Sequence, residues 1–298
     1  MKKIGLSSIV ALIIVVLMLS VMVGCTNKET TTDTNKGTKE KPIVAVSIVP
    51  QKTFVEAVCG DMAEVIVMVP PGNSPANYEP TPKEMEQFSK AKLYFAVGVP
   101  TEEANILPKA SEINGMKIIK LQEDVSKIYA DRELALGKRD PHIWLSPKRA
   151  IVMVQTIARE MGEFDPINKN KYEENAQRYI TELENLDKQI QNVLEGVKDR
   201  KFIVFHPAFG YFADDYSLQM YALEQDGKEA TAQRLKEMID LAKKENIKAI
   251  FYQAEISSKQ AESFAEEIGG KTVQLAPLSP NYIDNLKNMV DLMSEVMQ

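Results

Sequence analysis

The two histidines of this 298-residue chain, His142 and His206, are its residues best suited to chemistry. His142 stands in Arg139-Asp140-Pro141-His142-Ile143-Trp144-Leu145-Ser146-Pro147, a loop that leads into a capped helix. His206 follows the apolar run Phe202-Ile203-Val204-Phe205 and precedes Pro207, which places it just past the end of a strand. Open α/β sheets present ligand groups beyond the carboxyl ends of their strands. A proline beside each histidine stiffens its loop. One imidazole from each half of the chain makes a donor pair suited to a divalent transition metal. The plainer alternative is a packing or surface role for each ring.

Composition narrows the chemistry further. Thirty-six Lys+Arg against 42 Asp+Glu leave a net charge of −6, which argues against a nucleic-acid partner. Two cysteines, Cys25 and Cys59, exclude a disulfide framework and any all-cysteine metal site. Cys59 lies in the apolar stretch FVEAVCGD and reads as a small buried hydrophobe. A metallohydrolase keeps three protein ligands and a general base beside an open position. Only two ligands can be placed here, so the chain is not read as an enzyme. Asp214 and Asp215 read as solvated surface carboxylates near the end of a short helix after His206.

The elements that must position the histidines alternate along both halves. Short β-branched runs at 43–48, 64–69, 93–97 and 117–121 read as buried strands. Runs at 202–205, 219–223, 249–253 and 272–275 repeat the pattern, interleaved with helix-period segments at 230–245, 258–268 and 282–297. Thr81-Pro82-Lys83-Glu84 is a capping box, and Ser146-Pro147 opens a helix that should reach Met161 before Gly162. The Tyr78-Glu79 pair ahead of the first cap could supply donors or could simply be turn chemistry. Between the halves, apolar residues at Tyr172, Ala176, Tyr179, Ile180, Leu183, Leu186 and Ile190 recur in steps of three and four. A helix of about 30 residues spans ~45 Å, enough to run the height of two lobes. The predicted fold is α/β: two lobes with mainly parallel sheets, joined by one long spine helix, with the ligand cleft between them.

The first residues belong to a different regime. Lys2 and Lys3 precede the unbroken apolar run 9–19, which is followed by Ser20-Val21-Met22-Val23-Gly24-Cys25, and together they describe a secretory signal. The following stretch, TNKETTTDTNKGTKEK, contains no apolar residue and cannot offset its ordering entropy. The organisation is therefore a signal over 1–24, a tether over 25–41, lobes over 42–165 and 199–298, and the connecting helix over 166–198. The small residue before Cys25 resembles a bacterial lipoprotein signal, which implies lipidation of Cys25 and an anchor on the extracytoplasmic face of the cell membrane.

From Pro42 onward a longer series of motifs appears in order. It comprises Val69-Pro70-Pro71-Gly72, Tyr78-Glu79-Pro80-Thr81-Pro82, Asp140-Pro141-His142-Ile143-Trp144-Leu145-Ser146-Pro147, Val204-Phe205-His206-Pro207-Ala208-Phe209 and Pro277-Leu278. The series resembles the metal-binding lipoproteins of bacterial zinc and manganese ABC importers, the cluster A-I solute-binding proteins. The resemblance implies capture of a divalent metal as transported cargo and delivery to permease and ATPase subunits of an importer. It places two of four usual ligands at His142 and His206, and a histidine at the second position leans towards zinc over manganese. The other two usual ligand positions carry Ala76 and Ala276, which leaves the implied site incomplete. Asn77 and Gln253 are the candidate replacement donors in the homologous loops, although amide oxygens are weak ligands for zinc. Two other roles fit the same fold: binding a metal chelate or a non-metal small ligand, and acting as a surface adhesin lipoprotein.

Overall fold

The computed structural model describes residues 40–224, 229–255 and 259–297. The signal, Cys25 and almost all of the tether lie outside the described residues. Among the described residues, no helix is long and apolar enough to cross a membrane.

The amino-terminal lobe begins with β1 (Ile43–Val46), α1 (Val49–Cys59) and β2 (Glu64–Val67), then α2 (Pro82–Phe88) and β3 (Leu93–Ala96). A π-helical turn at Glu102–Ile106 runs into α3 (Leu107–Ala110), followed by β4 (Lys117–Lys120) and α4 (Leu121–Ser126). Its sheet is fully parallel in the order β2-β1-β3-β4. A small antiparallel hairpin, β5 (Glu133–Ala135) and β6 (Lys138–Arg139), precedes α5 (Pro147–Phe164). Then comes the spine, α6 (Lys169–Glu195). The second lobe holds β7 (Lys201–Val204), α7 (Gly210–Asp215), β8 (Gln219–Ala222), α8 (Ala232–Lys244), β9 (Ala249–Gln253), α9 (Lys259–Glu267), β10 (Lys271–Leu275) and α10 (Tyr282–Val296). Its sheet is parallel too, in the order β10-β9-β7-β8. Each sheet thus reverses its strand order beside its first strand, at β1/β3 and at β7/β9. Those reversals open the crevices in which ligand groups gather.

Strand periodicity explains the layering. Val44 and Val46 of β1 face one apolar cluster and Ala45 faces another; Phe202 and Val204 of β7 likewise face away from Ile203. The larger cluster is continuous through both lobes. It joins Val44 and Phe95, through Leu183, Leu186 and Ile190 of α6, to Val204, Phe251 and Met289. The spine packs against α1, α5 and α10. Asn175 ties it to α1 by donating to the Val58 carbonyl at 2.9 Å, and Tyr216 of the second lobe donates to Asp187 at 2.7 Å.

Three expectations about boundaries are corrected. The spine has 27 residues, ~40 Å, because Pro166–Asn168 forms a separate 3-10 turn and the helix stops at Gly196. Gly162 does not end α5, which continues to Phe164. A Cβ at Gly162 would lie 2.9 Å from the Lys169 side chain, so this glycine permits the close turn between α5 and α6. The 43–48 run also ends sooner than read, because Ile48 is already the N-cap of α1. Thr81 and Glu84 form the expected capping box, and Cys59 is fully buried, its thiol pushed up to about 12 by desolvation.

Candidate metal centre

His142 is held by a loop fastened to the opposite lobe. Asp140, fully buried, accepts from the His142 backbone N–H at 3.0 Å, and its Oδ1 lies 2.7 Å from His142 Nδ1. The Asp140 carbonyl accepts from the Tyr211 hydroxyl at 3.0 Å. Trp144 Nε1 donates to the Pro277 carbonyl at 3.0 Å, and the Tyr282 hydroxyl donates to the Trp144 carbonyl at 2.7 Å. These bonds use residues from both lobes, so the loop stays fixed relative to each of them.

His206 emerges from β7 and meets Glu224 just past β8. The parallel ladder continues beyond the strands, with the Glu224 N–H donating to the Phe205 carbonyl at 2.9 Å. That register puts Glu224 Oε2 2.8 Å from His206 Nδ1. The two Nε2 atoms then face each other across the cleft, 3.2 Å apart, with the rings edge to face at 76°.

The chemistry of this chain of four groups follows from what a carboxylate can do. An ionised carboxylate only accepts hydrogen bonds, so each Nδ1 must carry a proton. In neutral rings the two Nε2 lone pairs then face one another, an arrangement relieved by a shared proton or by a metal ion bound to both. Two imidazoles sharing one tetrahedral zinc at ~2.0–2.1 Å have nitrogens about 3.3 Å apart. Burial lowers the pKa of His142, with the Asp140 carboxylate acting in the opposite direction. The net effect favours the neutral, ligand-competent ring. Carboxylates on the far nitrogen of a ligating histidine fix its tautomer and raise its basicity.

The histidines open onto a cleft of about 980 Å³. Ala76 lines it with a methyl group, and Gln253, buried at the end of β9, lines it from the other lobe. Asn77 is exposed and is not among the cleft-lining residues. Ala276 stands in a turn, its carbonyl accepting from Asn285 at 2.7 Å, while its neighbours Pro277 and Leu278 line the cleft. Among the described residues no three His, Cys, Asp or Glu side chains are grouped to hold a metal. The Tyr78 hydroxyl donates to Glu84 at 2.9 Å, which is turn chemistry. Asp215 corrects the expectation of a solvated carboxylate: its side chain is only 9% exposed and accepts from Arg149 at 2.9 Å. Asp214 is half exposed and pairs with Arg132 at 2.6 Å. Glu224 escapes sequence reasoning, because 18 residues separate it from His206 and only the β7–β8 pairing unites them.

The family model for zinc-uptake complex component A, periplasmic, matches residues 44–296. This chain belongs to that family. It is 30% identical over 279 residues to the high-affinity zinc uptake system protein ZnuA of Bacillus subtilis (strain 168), covering 86% of this chain and 88% of that protein. The iron ABC transporter substrate-binding lipoprotein MtsA of Streptococcus pyogenes serotype M1 is 27% identical over 263 residues, covering 85% and 84%. The crystal structure of a ZnuA deletion mutant with zinc bound superposes with a TM-score of 0.81 at 37% identity, covering 87% of this chain and 99% of the other. The family comprises metal-binding, extracytoplasmic solute-binding components of ABC importers, not enzymes.

Proposed function

We propose that this protein captures a divalent metal, zinc in preference to manganese, between its lobes and delivers it to the permease of an ABC importer driven by its ATPase subunit. His142 and His206 supply the two protein nitrogens. A lipid on Cys25 holds the protein at the extracytoplasmic face of the membrane, with lobes over 42–165 and 199–298 joined by the segment 166–198 that carries the spine helix Lys169–Glu195. The observation that carries the reading is the 3.2 Å separation of two Nε2 atoms whose Nδ1 atoms are both held by carboxylates. A packing role for the rings would not need a carboxylate behind each of them. Elemental analysis of the protein purified without chelator tests it, alongside His142→Ala and His206→Ala variants. Stoichiometric zinc that is lost in both variants is expected; metal-free protein that takes up no added zinc would overturn the reading. Anchorage is tested separately by Cys25→Ala, which should leave the membrane fraction or persist as an unprocessed precursor, since stable anchoring takes more than one acyl chain.

A further inference from the structure

The walls of the cleft do not resemble those of a site for a bare dication. Arg132, Arg139 and Arg234 all line it. Two glycines make room for these guanidiniums. Gly98, at φ +88°, would place a Cβ 2.7 Å from Arg139 Nη1, and Gly210 would place one 2.5 Å from Arg132 Nε. Arg139 and Arg234 are each ion-paired but keep part of the side chain exposed. Arg139 meets Asp131 through Nε at 2.9 Å, and its side chain remains 25% exposed. Arg234 donates to the Ala222 carbonyl at 3.2 Å and stands 3.8 Å from Glu237, and its side chain remains 27% exposed. Glu103, Glu133 and Glu224 line the cavity too, but Arg132, Arg139, Arg234 and Lys138 outnumber them, so the wall around the two imidazoles is not the carboxylate-rich one a bare dication would draw.

Two further facts point the same way. The cleft measures about 980 Å³, whereas a metal ion with a water or two needs roughly 30 Å³ per water. Zinc prefers four donors, and two protein nitrogens supply only half of them. Building on the metal-capture reading above, we infer that the cleft takes zinc as a complex with a small polycarboxylate, whose oxygens complete the metal's shell and whose free carboxylate meets Arg139 and Arg234. Arginine suits that task because its fork matches a carboxylate with two parallel hydrogen bonds. A tricarboxylate on zinc gives a complex of net negative charge, which complements the guanidinium wall.

Citrate is the probe, and its effect has opposite signs for the two kinds of site. At a bare-ion site citrate competes for zinc and weakens apparent binding. At a chelate site it becomes part of the bound species. Titrations of the full chain with zinc alone, zinc with equimolar citrate, and citrate alone should show at least tenfold tighter binding for the mixture than for zinc alone. Native mass spectrometry should show zinc and citrate together on one chain. Arg139→Gln and Arg234→Ala, checked for folding by circular dichroism, should each weaken zinc–citrate binding at least tenfold and leave zinc alone unchanged. Zinc binding that citrate only weakens, with no ternary mass, would overturn the chelate inference and leave metal capture standing. Binding of citrate alone as tightly as the mixture, or no binding of zinc in any form, would overturn the metal-capture reading with it.

Discussion

Glu224→Ala isolates the contribution of a residue that touches no metal in the proposed site. Glu224 Oε2 accepts from His206 Nδ1 at 2.8 Å, and both side chains are largely buried at 11% and 16% exposure. Truncation removes a charge-assisted hydrogen bond, worth about 1.5–3 kcal/mol, and leaves the Nδ1–H facing the cleft. The ring then loses its enforced tautomer, so part of the population presents Nε2–H to the metal in place of a lone pair. Outer partners of this kind are worth 10–100-fold in metal affinity, or about 1.4–2.7 kcal/mol. Glu224→Gln is the informative companion, because its amide oxygen still accepts from Nδ1 and only the charge is lost. Competition titration against a chromogenic chelator at neutral pH should rank the affinities wild type, Glu224→Gln, Glu224→Ala and His206→Ala in falling order. Wild-type affinity in a folded Glu224→Ala protein would refute the orienting role; wild-type affinity in His206→Ala would remove the centre itself.

Three other outcomes are expected. Ala76→His combined with Ala276→Asp adds an imidazole on the cleft wall and a carboxylate in the turn beside it, and should raise zinc affinity at least a hundredfold by competition titration; unchanged affinity would show that the shell is already complete. Glu102 is fully buried, accepts from the Val97 and Gly98 amides at 2.8 and 2.7 Å, and is pushed by burial from 4.5 up to about 7. The unfolded chain therefore releases this proton first, and stability should fall by about 3 kcal/mol as pH rises from 4.5 to 7; urea unfolding of Glu102→Gln should lose that slope, and an unaltered slope would refute it. Because one apolar cluster runs through both lobes by way of α6, ligand binding should tilt the lobes only slightly, and small-angle scattering that shows a large compaction with ligand would contradict this.

Much of the architecture was written locally. Alternation of β-branched runs with amphipathic segments announced two parallel-sheet lobes, because side-chain period depends only on backbone geometry. The three- and four-residue steps from Tyr172 to Leu194 announced the spine for the same reason. Caps at Thr81 and Ser146 were legible because a cap involves residues only three apart. The helix Val49–Cys59 was not, since its first turn continues an apolar strand run and only tertiary packing separates the two. At the site, residue type and loop context sufficed to single out His142 and His206. Their 3.2 Å approach was decided by the Trp144–Pro277 and Tyr282–Trp144 bonds between lobes, which join residues more than 130 positions apart. Asp140 is sequence-adjacent to its histidine, whereas Glu224 reaches His206 only through strand register, and Arg234 reaches the cleft only by crossing over from α8. Sequence patterning is short-ranged and records which face of an element is apolar. Which charges end in the same cavity depends on how the elements pack, and that is set by the whole core at once.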